Sequence, residues 1–190
     1  MTSIFKPESV MLNLQTYVMQ PFRRRNQVKL SDLKEYFSNP EAADPILSKG
    51  ENSIVYEYYD YSTPEVEGHL TFGVTTIYSG KVGKEYYMTR GHYHEKNDAE
   101  IYLGLSGRGL LLMQTKGGEV TYLDLNPGYI GYVPPGWGHR TINTGGEKMV
   151  FFFIYPSDAG HDYEFVKEKG FAKIVIEEDG VPKVVDNPRF

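Results

Sequence analysis

His92 and His94 stand one residue apart, and few other side chains in the sequence offer comparable chemistry. The chain has five histidines: His69, His92, His94, His139 and His161. On an extended strand, residues i and i+2 point to one face, so an H-x-H pair can aim two imidazoles at a single point. Glu100 opens the run Glu100-Ile101-Tyr102-Leu103-Gly104-Leu105, which reads as a strand. His139 follows Pro134-Pro135-Gly136-Trp137-Gly138 and opens another. Three imidazoles and one carboxylate form a borderline donor set, suited to Fe, Mn, Ni, Co or Zn with room for water or substrate. Thiolate sites, disulfides and cysteine nucleophiles are excluded because there is no cysteine.

These side chains need a scaffold that brings distant segments together. From about Ile54 the sequence consists of short runs rich in Val, Ile, Tyr, Phe and Thr, separated by turn residues. The pattern predicts strands over 53–59, 69–78, 84–89, 99–105, 108–114, 119–124, 129–133, 139–143 and 149–155. Many short strands with regular turns and no helical period indicate an all-β sandwich or barrel. Upstream, Ser31 is expected to cap a short helix through Phe37, and Val10 to Met19 to add strands to the edge of the main body. Downstream, a short helix is expected over 163–169, closed by Gly170. Asp179-Gly180 between two β-rich runs is a hairpin signal. With 190 residues, no linker and no internal repeat, one domain is expected. Within 1–190 it divides into an N-terminal extension (1–50), a barrel core (51–157) and a C-terminal helix and hairpin (158–190).

Composition narrows the function. The net charge is −5, with acidic and basic residues interspersed, so nucleic acid is not an expected partner. The Arg23-Arg24-Arg25 triplet reads as a solvated surface loop. The longest apolar run, Met149 to Tyr155, is far short of the roughly 20 residues of a membrane span. With no secretory h-region at the N-terminus, a soluble cytoplasmic protein is expected. Sixteen tyrosines suit pocket walls that pack with a ring and bond with a hydroxyl.

The spacing of the metal-type residues resembles the two motifs of the cupin superfamily. The first reads His92-Tyr93-His94, five residues, Glu100, six residues, Gly107; its histidine-to-glutamate gap is one residue longer than usual. The second reads Gly128, five residues, Pro134-Pro135-Gly136, two residues, His139, three residues, Asn143, and matches at each specified position. The resemblance implies a jelly-roll barrel (a double-stranded β-helix) with a few short peripheral helices, and one divalent ion held by His92, His94, Glu100 and His139. Glu95, in the turn Glu95-Lys96-Asn97-Asp98, is the rival to Glu100.

One branch is resembled more closely, the archaeal cupin-type glucose-6-phosphate isomerases. The likeness is carried by Gly80 to His94, by Tyr155-Pro156-Ser157-Asp158-Ala159-Gly160-His161-Asp162-Tyr163, and by Val184-Val185-Asp186-Asn187-Pro188. It implies interconversion of glucose 6-phosphate and fructose 6-phosphate, a homodimer, and Fe²⁺ as the natural ion, with Zn²⁺, Mn²⁺, Ni²⁺ or Co²⁺ as substitutes. Glu100 would be a ligand, the proton carrier, or both in turn. Thr75, Thr89, Arg90 and the Gly91 amide are the candidates for the phosphate, since hydroxyls, glycine amides and a forked cation suit it. Tyr56, Tyr102, Tyr155, His161 and Tyr163 match positions lining the sugar pocket in that branch, with His161 assisting ring opening. Other cupin chemistries are an Fe(II) dioxygenase and a non-catalytic sugar-binding protein, because one fold hosts many functions.

Overall fold

The computed structural model describes residues 5–190. Among the described residues, short strands β1 (Met11–Leu12) and β2 (Met19–Gln20) pair only with each other. They do not extend the main sheet, although Met19 packs on Val74 and Val150. The strand that adds to the edge is β3 (Arg24–Lys29), which contains two of the three arginines expected in a loop. Helix α1 (Leu30–Leu33) begins earlier than expected. The Lys29 N–H donates to the Asp32 carboxylate at 2.9 Å, replacing a Ser31 cap. A second short helix, α2 (Asp44–Ser48), starts at Asp44-Pro45, where proline suits the first turn.

Eight strands then build the body: β4 (Ile54–Tyr61), β5 (Leu70–Ile77), β6 (Lys81–Val82), β7 (Glu85–Tyr86), β8 (Glu100–Ser106), β9 (Gly109–Thr115), β10 (Val120–Asp124) and β11 (Ile130–Val133). They are followed by β12 (Trp137–Asn143), β13 (Met149–Pro156), α3 (Glu164–Lys169), β14 (Lys173–Glu178) and β15 (Val181–Asp186). A six-stranded sheet runs in the order β11-β8-β13-β5-β4-β3, and a three-stranded sheet in the order β10-β9-β12. All pairings are antiparallel. Residues from both sheets line one cavity, giving the cupin-type jelly-roll barrel that the two motifs predict.

Alternation along the strands decides what faces that cavity. Tyr56, Tyr58 and Asp60 of β4, Thr71 and Thr75 of β5, Glu100 and Tyr102 of β8, and Phe151, Phe153 and Tyr155 of β13 all line it. They recur at even spacing, as the pleat requires. The intervening Ile101 is exposed.

The expected strand over 84–89 is broken. After β7 the chain makes only isolated bridges, among them Met88 to Ile142 and His92 to His139. The helix over 163–169 is present as α3, ended by Gly170 at φ 74°. Asp179 and Gly180, at φ 54° and 79°, form the β14–β15 hairpin turn. Phe171, before β14, is fully buried in the same core as Leu33, Met88 and Leu112. Burying such a ring contributes about 1.5–3 kcal/mol toward holding the C-terminal segment against the barrel.

Candidate metal centre and substrate pocket

The segment bearing His92 and His94 docks on β12. His92 and His139 exchange both backbone hydrogen bonds, at 3.1 and 3.0 Å. Opposed residues in such a pair share a face, and the two imidazole centroids lie 4.4 Å apart. His94 follows two residues on, its ring centroid 5.3 Å from that of His92. The i, i+2 argument therefore holds although the segment lacks a continuous ladder. Gly138 makes the docking tight, because a Cβ there would strike the ring of Tyr93 between the two histidines. Glu100 comes from the opposite sheet, at the start of β8.

The result is one cluster. A ligand-type atom from each of His92, His94, Glu100 and His139 lies within 4.8 Å of all the others. Oε2 of Glu100 is 3.8 Å from Nε2 of His92, 3.2 Å from Nε2 of His94 and 2.9 Å from Nε2 of His139. Nδ1–H of His94 donates to the Asp98 carbonyl at 3.0 Å, and Nδ1–H of His139 to the Trp137 carbonyl at 3.1 Å. Those bonds fix the rings and leave each Nε2 facing the centre, the usual outer support of a metal-binding histidine. Among the described residues, Nε2 of His92 is buried with no hydrogen-bond partner. A buried unpaired polar atom is costly, and a cation among the four groups would satisfy it. The donor set therefore fits a divalent ion.

The clustered groups also perturb one another's ionisation. Burial would raise the Glu100 pKa, but hydrogen bonds from His139 and His94 outweigh it and bring the carboxyl to about 2. Burial would lower the His94 pKa, but its bond to Glu100 reverses that and leaves it raised. His92 is pushed well below the ordinary histidine value by burial and by its histidine neighbours. Glu95, the rival carboxylate, lines the cavity near Gly160 and stands outside the cluster.

Beside the cluster lies a cavity of about 650 Å³. Tyr56, Thr75, Thr89, Arg90, Gly91, Tyr102, Tyr155, His161 and Tyr163 all line it. His161 stacks on Tyr163 at 5.8 Å and 9°, with its centroid 4.4 Å from that of His92. Burial drives the His161 pKa down to about 4, so its imidazole is neutral near pH 7. Burial likewise raises the hydroxyl pKa of Tyr56, Tyr102 and Tyr155, keeping them protonated donors. Arg90 is among the lining residues; its guanidinium lies 5.9 Å over the Tyr36 ring, and among the described residues its Nε is buried without a partner.

Sequence reasoning missed the Arg24–Asp60 pair. Arg24 lines the cavity, bonded to Asp60 through Nε at 2.7 Å and Nη2 at 2.6 Å. The Asp60 side chain is 1% exposed, so the arginine is anchored on a buried carboxylate. The only sequence signal was the even spacing of Asp60 with Tyr56 and Tyr58 on one strand.

The family model described as Glucose-6-phosphate isomerase (GPI) matches residues 27–188. The chain belongs to the glucose-6-phosphate isomerase family. It is 52% identical over 186 residues to the glucose-6-phosphate isomerase of Thermococcus gammatolerans, with 97% of each chain covered. To that of Pyrococcus horikoshii it is 52% identical over 163 residues, covering 85% of this chain and 86% of the other. To that of Pyrococcus furiosus it is 46% identical over 186 residues, with 97% of each covered. A partial likeness extends to solved chains of Bacillus subtilis oxalate decarboxylase, at TM-score 0.46 and 25% identity, covering 56% of this chain and 27% of that one.

Proposed function

We propose that this chain is a metal-dependent aldose–ketose isomerase that interconverts glucose 6-phosphate and fructose 6-phosphate. Convergence of His92, His94, Glu100 and His139 beside a polar, tyrosine-lined cavity carries this reading, together with family membership. Those four residues would hold the ion, and Fe²⁺ suits three imidazoles and one carboxylate. A bound divalent ion supplies a Lewis acid toward the C1 and C2 oxygens.

The chain's own groups do the rest. Thr75, Thr89, Arg90 and the Gly91 amide take the phosphate and so place C1 and C2 at the other end of the cavity. Tyr56, Tyr102, Tyr155 and Tyr163 hold the sugar hydroxyls. Neutral His161 bonds the ring oxygen and assists opening to the chain form. Glu100 takes the proton from C2 of the open aldose and returns it to C1, while the hydroxyl proton moves from O2 to O1. A carboxylate that also serves as ligand is a weaker base, so Glu100 performs the two roles in turn.

The protein works in the cytoplasm as a homodimer. Ile101, Ile130 and Tyr132 are exposed on one face of the paired strands β8 and β11 and offer an apolar surface for a second copy. Among the described residues, no helix is long and apolar enough to cross a membrane.

The decisive assay strips the protein with chelator, adds back one divalent metal at a time, and measures glucose 6-phosphate formed from fructose 6-phosphate. Activity that returns with metal supports the proposal. Full turnover in the stripped protein, or none with any metal, overturns it.

A further inference from the structure

Arg140 is a guanidinium in the core with a single backbone partner among the described residues. It follows His139 on β12, so its side chain leaves the strand on the face opposite the imidazole. It is 3% exposed and packs over the Phe171 ring at 4.6 Å. Nη2–H donates to the Arg90 carbonyl at 2.6 Å, Nη1 lies 3.0 Å from Met88 Sδ, and Nε is buried with no partner among the described residues. Burying a cation so thinly bonded is expensive, and an apolar side chain of similar size would serve packing as well or better. Buried Glu85 supplies a favourable charge beyond ion-pair distance, and the guanidinium's one short oxygen contact is with the Arg90 carbonyl.

Its one strong bond lands on the peptide that joins Arg90 to Gly91. We propose that Arg140 is a positioning residue that holds and polarises this peptide so that the Gly91 N–H is presented to the substrate's phosphate. The inference rests on the reading that the phosphate binds at Thr75, Thr89 and Gly91.

The geometry runs through the peptide plane. This peptide is trans, so its C=O and N–H point in opposite directions. Arg140 draws the carbonyl toward the core side of β12, which turns the amide toward the cavity that Gly91 lines. On either side, Thr89 N–H donates to Thr141 O at 2.9 Å and His92 N–H to His139 O at 3.1 Å. The segment is thus pinned at both ends by β12 and in the middle by Arg140. Gly91 adopts φ 75°, and a Cβ there would lie 2.8 Å from His139 O and 2.9 Å from Arg140 Cβ. A charged donor on the carbonyl also withdraws electron density and strengthens the amide as a donor.

The test uses zinc-loaded protein with ¹⁵N-labelled glycine, titrated with inorganic phosphate and followed at the Gly91 amide, alongside steady-state kinetics on fructose 6-phosphate. Arg140→Met is expected to weaken phosphate binding and raise KM about tenfold, with zinc content unchanged and kcat within about threefold. Arg140→Lys, which can still donate a charged bond to the same carbonyl, should recover much of that loss. Should Arg140→Met not fold, Arg140→Gln and Arg140→Lys make the comparison, with glutamine giving the larger loss. If the wild-type Gly91 amide does not respond to phosphate, the anion sits elsewhere and the underlying reading fails. If it responds equally in wild type and in variants lacking the charge, with equal KM, the role of Arg140 alone is overturned.

Discussion

Oε2 of Glu100 lies 2.9 Å from Nε2 of His139, and each side chain is 2% exposed. The residues are 39 positions apart, on strands of different sheets, so the barrel itself closes this contact. The carboxylate is held ionised, at a pKa of about 2, by hydrogen bonds from His139 and His94 that outweigh its burial. Glu100→Gln keeps the shape and one oxygen but cannot take a proton. We expect kcat to fall by roughly 10²–10⁴ while bound metal falls much less. Equal loss of metal and turnover, by elemental analysis and kinetics, would make Glu100 a ligand only.

His161 sets a pH dependence of folding. Burial, the largest influence, brings its pKa to about 4, against about 6.5 in an unfolded chain. Between those values the unfolded chain binds the proton and the folded chain does not. The stability is therefore complete above about pH 6.5 and is lost as pH falls toward 4. The size is of order 3 kcal/mol. Urea midpoints of metal-free wild type should fall between pH 7 and pH 5 more steeply than those of His161→Gln. Parallel curves would show that His161 titrates normally.

Gly138 permits the close approach of Tyr93, and through it of His92 and His94, to β12. Gly138→Ala should displace that ring and weaken metal affinity at least about tenfold, since displaced supports of metal ligands cost 10–100-fold. Far-UV circular dichroism should change little. Unaltered zinc affinity by competition with a chelating dye would refute the constraint.

Thr75 is buried on β5 and lines the cavity. Thr75→Val conserves shape and removes the hydroxyl. Loss of one hydrogen bond to a charged phosphate should raise KM for fructose 6-phosphate about tenfold, with a smaller change in kcat. An unchanged KM would place the phosphate away from β5.

Ile130 is 70% exposed and stands opposite Leu103 on the β11–β8 pair. Ile130→Asp should convert a dimer to monomer in sedimentation velocity, because a charge in an apolar interface is not compensated. A dimer of unaltered affinity would locate the interface on another face.

Much of the site was legible in the sequence because its ligands lie on short extended segments. Even spacing fixes which side chains share a face, so His92 could be paired with His94 without coordinates. The turn residues Asp179-Gly180 and the closing Gly170 also acted locally, through backbone conformations that few other residues adopt. Other expectations failed where local preference had no competitor to be weighed against. Val10 to Met19 favours strand, yet its strands found only each other, while β3 took the sheet edge.

The sequence by itself determined the strand-rich class and the three histidines of the metal-type set, since these depend on residue type and on neighbours a few positions away, while the tyrosines of the pocket wall followed from resemblance to a known branch. Only the tertiary structure decided that Glu100 rather than Glu95 closes the cluster, that Arg24 is anchored on Asp60, and that Arg140 grips the peptide before Gly91. The Arg24–Asp60, Glu100–His139 and Arg140–Arg90 contacts join residues 36 to 50 positions apart. Their geometry follows from strand register and sheet closure, which no local pattern of side chains encodes.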